Sequence, residues 1–161
     1  MNRSKGFTLI EMIVAILVVG IGIIGVFSII SKFSEQSQYI RDVSVASYLG
    51  EEAIEIVKNI RDSNKIGGLA WDYGLTDCHN GCEIGYDDLY LSAWSEDGRF
   101  LYLENGTSQY KYIDSPQSGD VKTYYRRRIT ITPTNIDELH IRVDVYWENN
   151  SYEIYSKIYN W

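Results

Sequence analysis

Proline is scarce in this chain. There are two among 161 residues, Pro116 and Pro133, so no ring interrupts a helix anywhere in the first two-thirds of the sequence. Cysteine is as rare, and Cys78 and Cys82 come as a close pair. A structural zinc site takes four ligands; no second Cys/His pair accompanies Asp77, Cys78, His79 and Cys82, so no metal is expected. In an exported protein such a pair suggests a small disulfide loop rather than metal ligands or free thiols. The acids Asp72, Asp77, Asp87 and Asp88 lack the spacing of a calcium loop. Basic residues are outnumbered, 15 against 22 acids, for a net charge of −7. So acidic a chain gains nothing from counterion release, which disfavours nucleic-acid binding by bulk charge. There is no Gly-rich phosphate loop, no nucleophile–base spacing and no metalloprotease motif. No catalytic residue and no cofactor are therefore expected.

Charge is missing altogether from Met12 to Ser31, which are 20 consecutive uncharged residues, mostly Ile, Val and Gly. That length crosses a bilayer as a helix. Arg3 and Lys5 stand just before it, so the excess of positive charge on the cytoplasmic side puts residue 1 in the cytoplasm and the remainder outside. No small-x-small cleavage site follows the apolar run. On hydropathy alone the segment reads as a single-pass anchor. Glu11 resists that reading. A carboxylate in the membrane costs about 2.5 to 3.5 kcal/mol on insertion scales and should have a use. A cation at the same depth would supply one, and the free α-amino group of a neighbouring copy is such a cation. That amine exists at Phe7 only if the chain is cut between Gly6 and Phe7.

The string Lys5-Gly6-Phe7-Thr8-Leu9-Ile10-Glu11 resembles the cleavage and methylation motif of type IV prepilins and pseudopilins. The resemblance covers a basic leader ending in Gly, then Phe, Thr, Leu, Ile, Glu and a long apolar run. It implies that an aspartic prepilin peptidase cuts the Gly6–Phe7 bond and N-methylates Phe7. It also implies that Glu11 pairs with the Phe7 amine of an adjacent subunit during assembly. Gly6 suits a cleavage site because a residue without a side chain lets the backbone approach closely. The implied partners are the peptidase, other pilin subunits, an inner-membrane assembly platform and, before assembly, the lipid bilayer. The implied location is the inner (cytoplasmic) membrane with an extracytoplasmic head, then a cell-surface or periplasmic filament. Cleavage would remove Arg3 and Lys5 and take the net charge to −9.

Beyond Phe33 the pattern becomes amphipathic. Ile40, Val43, Ala46, Gly50, Ala53, Val57 and Ile60 recur at three- and four-residue spacing, with charged residues on the other sides. This predicts one helix from Phe7 to about Asp62, stopped by Ser63, Asn64, Gly67 and Gly68. Gly20, Gly22 and Gly25 lower helix propensity; they serve either local loosening on assembly or close helix–helix packing. Glu51 to Asp62 resembles the same helix of V-type minor pilins and of I-type pseudopilins, and the closing Tyr159-Asn160-Trp161 resembles the ends of some V-type minor pilins.

Toward the C-terminus the period shifts to two. Phe100–Glu104 and Gln109–Ile113, joined at Asn105-Gly106, read as a hairpin. Three further strands are expected at Thr123–Thr132, Leu139–Trp147 and Tyr152–Tyr159, with turns at Asp137-Glu138 and Asn149-Asn150. Arg126-Arg127-Arg128 reads as a solvated edge paired with local acids, and His140 as a sheet-face residue. The expected organisation is a leader at 1–6, a membrane-spanning or filament-core helix at 7–31, an amphipathic helix at 32–62, a loop-rich variable region at 63–97 and a β-sheet head at 98–161. The expected fold is α+β, a long N-terminal helix packed on an antiparallel sheet. The expected function is a structural subunit, a minor pilin, of a type IV pilus-like filament. Two alternatives stand beside it: a pseudopilin of a secretion or competence system, and a membrane-anchored binding module.

Overall fold

The computed structural model of the chain describes residue 6 and residues 8–95 and 99–161. The leader at 1–5 and Phe7 lie outside the described residues. One helix, α1, spans Leu9–Ile66. Thr8 starts it: the Met12 N–H donates to the Thr8 carbonyl at 3.2 Å. The helix runs four residues past the expected stop, because Ser63 and Asn64 stay helical. The Asn64 side-chain amide donates to the carbonyls of Trp71 at 3.3 Å and Tyr73 at 2.8 Å, which ties the returning loop to the helix. The real terminator is glycine. Gly68 has φ +72, and its N–H donates to Lys65 O while Leu69 N–H donates to Asn64 O. These two bonds form a Schellman cap, which needs a left-handed residue at that point.

The chain divides into two units, Met1–Arg41 and Asp42–Trp161. In the first, the described residues from Leu9 onward are helical, and nearly every side chain is exposed, including Leu9, Ile16, Ile21 and Ile24. The second unit is a head in which the rest of α1 packs on antiparallel sheet.

The head's main sheet has five strands. Their ranges are β1 (Cys82–Glu83), β2 (Ser92–Ala93), β6 (Tyr125–Asn135), β7 (Glu138–Trp147) and β8 (Asn150–Tyr159), in the order β2-β1-β6-β7-β8. A second sheet has the order β4-β3-β5, from β3 (Tyr102–Leu103), β4 (Tyr110–Lys111) and β5 (Val121–Lys122). β6, β7 and β8 form the expected meander, each paired antiparallel with the next along its length. The turns fall one residue earlier than expected, at Ile136-Asp137 and Glu148-Asn149, so Glu138 and Asn150 belong to strands. The expected hairpin at 100–113 forms as two-residue strands around a loop closed by Glu104 and Gln109. It joins the small sheet rather than the meander. Alternation alone could not separate the two sheets, since both read as period two. The region 63–97 also departs from expectation. It carries a short 3-10 helix (Thr76–Asn80) and both β1 and β2; strands of two residues leave no periodic signal.

The core lies between α1 and β6–β7. Ala46, Ala53 and Val57 are fully buried on the helix, and Ile129, Ile131, Ile141, Val143, Val145 and Trp147 on the sheet. Burying each valine or isoleucine of this set contributes roughly 1.5 to 3 kcal/mol. Val43 and Ile60 border this core, whereas Ile40, in the first unit, is exposed. Gly50 lets the helix approach β8. A Cβ there would stand 2.8 Å from Ile154 Cγ2, closer than carbon atoms pack.

Two polar devices pin the head. Asp42, nearly buried, accepts hydrogen bonds from Tyr124 Oη at 2.7 Å and Tyr125 Oη at 3.0 Å. Burial raises the Tyr125 hydroxyl well above the ordinary phenol range. Arg127 is completely buried: its Nη1 donates to Glu52 Oε2 at 2.6 Å and to Leu49 O at 2.8 Å, and its Nη2 to Ile84 O at 2.5 Å. One side chain thus joins helix, β6 and the segment after β1. Above it, Tyr112 Oη donates to Arg127 O at 3.0 Å, and burial pushes the Tyr112 hydroxyl up to about 12.

Cys78 and Cys82 form a disulfide and are both buried. Gly81 inside that loop has φ +103, and a Cβ there would collide with the Arg128 side chain.

The Arg127→Ala variant strands Glu52 and two carbonyls, so it should destabilise the head by about 3 kcal/mol or more; denaturant unfolding followed by tryptophan fluorescence checks this. The disulfide closes so short a loop that chain entropy limits its effect to about 2 kcal/mol. The Cys78→Ser/Cys82→Ser double variant should unfold within that margin of the parent in the same assay.

Candidate functional site

The functional residues expected at the N-terminus sit where α1 begins. Gly6 is exposed, and a Cβ built on it would meet nothing within 4 Å. The fold of the described chain therefore does not itself require glycine there. Phe7, the expected site of cleavage and methylation, is outside the described residues. Glu11 lies in the first turn of α1, and its Oε2 accepts from Thr8 N–H and Thr8 Oγ1, both at 3.4 Å. The N–H bond is one half of a capping box, in which an acid three residues into the helix returns to the residue that caps it. The same acid faces the positive end of the helix dipole. This local role was readable in the spacing Thr8-x-x-Glu11, though the buried-charge argument passes over it. At 3.4 Å both contacts are long and weak, so Thr8 leaves Glu11 able to take a stronger partner.

Behind Glu11 the helix is long and apolar enough to cross a membrane. None of the most apolar window is buried within the chain. Gly20, Gly22 and Gly25 face open space, with nothing within 4 Å of an added Cβ. A single chain gives these glycines no packing role.

The other residues singled out in the sequence do not converge on this segment. Cys78 and Cys82 are consumed by their disulfide, and His79 is exposed beside the Asn80 amide, at 3.0 Å. Among the described residues, no three His, Cys, Asp or Glu side chains gather as a metal site would need. The triple arginine does not form the expected solvated edge. Strand alternation turns Arg127 to the helix and into the core, where it is held by Glu52. Arg126 stacks over Phe100, and Arg128 donates to Asn80 O at 3.0 Å. His140 is exposed on the sheet face, 2.9 Å from Glu138. Neighbouring Lys157 and His140 hold the Glu138 carboxyl below its ordinary range.

The profile of the prokaryotic N-terminal methylation motif matches residues 1–27. Searches of curated proteins and of solved structures gave no match. The matched stretch contains Gly6, Phe7, Glu11 and most of the exposed apolar helix, and it leads into an α+β head in which α1 packs on antiparallel sheet. In this N-terminal motif and this architecture the chain resembles type IV pilin-like and pseudopilin subunits.

Proposed function

We propose that the chain is a minor pilin: a structural subunit, without catalytic activity, of a type IV pilus-like filament. Prepilin peptidase cuts it between Gly6 and Phe7 and methylates the new amine. Before assembly it spans the inner membrane once, with its head outside. It then leaves the membrane by packing its apolar helix among those of other subunits. The observation that carries this reading is the combination of Glu11 with an apolar helix wholly uncovered by its own chain. Lipid can cover the apolar surface, but it offers a carboxylate no cation. A neighbouring subunit cut at Phe7 offers both, since its helix covers apolar surface and its α-amine neutralises Glu11. The weak contacts from Thr8 keep Glu11 ordered until that amine arrives, and the exposed glycines let neighbouring helices approach closely.

Intact-mass and N-terminal sequence analysis of the protein recovered from host membranes or sheared filaments should find chains beginning at N-methylated Phe7. Chains beginning at Met1, in a host with active prepilin peptidase, would reduce the segment to a plain anchor. The Glu11→Ala variant should insert into membranes at least as well as the parent, because an acid leaves the apolar run. Its amount in sheared filaments should nonetheless fall severalfold; normal incorporation would defeat the pairing role.

A further inference from the structure

A groove of about 710 Å³ opens in the head between the last turns of α1 and the segment that carries the disulfide. That volume falls in the range of small-molecule sites. Its apolar floor includes Ile56, Ile60 and the Cys78–Cys82 bridge. Tyr73 and Tyr90 stand at its rim, 60% and 76% exposed. Asp77 and Asp88 complete it, and among the described residues no Lys, Arg or His lines it. Asp88 Oδ2 is occupied by the Gly85 N–H at 2.7 Å. The Asp77 carboxylate is exposed and has no side-chain hydrogen bond or ion pair with any described residue.

This lining selects by charge. An anion would face two carboxylates with no cation to offset them. A neutral apolar body would fill the floor but leave the charge of the two carboxylates unmatched. A positively charged nitrogen on a compact apolar body satisfies both demands. The body covers the floor while the nitrogen meets Asp77. We propose that this groove binds an organic ammonium, a primary or substituted amine carried on such a body. The proposal goes beyond the filament role and does not rest on it.

The test compares three ligands of nearly one shape, benzylammonium, benzyl alcohol and benzoate, on the full-length protein in detergent micelles. Ring signals of Tyr73 and Tyr90 are followed by NMR. Benzylammonium should shift both signals saturably, benzyl alcohol should bind at least tenfold more weakly, and benzoate should not bind. In Asp77→Asn, an exposed position, benzylammonium should lose about tenfold in affinity, or about 1.4 kcal/mol, while benzyl alcohol is unchanged. Equal binding of the amine and the alcohol would overturn the proposal. So would amine shifts of the same size at the remote ring of Tyr155, which would mark general adsorption to an acidic surface. The three-ligand comparison in the parent protein decides the matter even if the variant is perturbed.

Discussion

A chain that makes an apolar helix must cover it, and this chain does not. From Leu9 to Phe33 the large side chains of α1 stand exposed, and hydrophobic surface on that scale is strongly unfavourable in water. The cover must come from lipid or from other helices. The helix itself holds no proline and runs unbroken from Leu9 to Ile66. Glu11 sits in the first turn of that helix, where a carboxylate meets the positive end of the helix dipole.

The head answers a different problem. Its part of α1 has a face of small and β-branched residues, and Gly50 lets that face approach the sheet closely. Apolar packing supplies most of the stabilisation. Polar pins then set the register: Asp42 under two tyrosine hydroxyls, and Arg127 through Glu52, Leu49 O and Ile84 O. A buried charge adds little net stability over a well-packed apolar residue, but leaving its partners behind is costly. Such pins therefore favour one docking of helix on sheet over its neighbours. The disulfide contributes modestly by entropy. Both of its cysteines line the groove that also holds Asp77.

How far the sequence could be read followed from how each feature is encoded. The N-terminal motif is local and consecutive, so it was legible across the stretch 1–27 that the methylation-motif profile matches. The meander was legible because Leu139 to Trp147 alternates cleanly and its turns are short. The helix end was misplaced because Asn64 reads as a stop signal, while its amide is in fact spent on carbonyls of the returning loop. Strands β1 and β2 went unread because two residues carry no period. Arg127 was misread because a run of three arginines looks solvated, and only the direction of strand alternation against the helix shows which of the three is swallowed.

By itself, the sequence determined what depends on neighbours along the chain. It placed a membrane-length apolar helix behind a methylation motif, an acid near the start of that helix, and alternating strands near the C-terminus. Hydropathy, helical spacing and strand period are all short-range properties, and they survive without a fold. Tertiary structure alone decided which arginine is buried, which carboxylates lack partners, that the head has two sheets, and that Asn59, Asp77 and Tyr90 line one groove. Those outcomes depend on contacts between residues far apart in sequence. Packing and desolvation settle them only once helix and sheet have met.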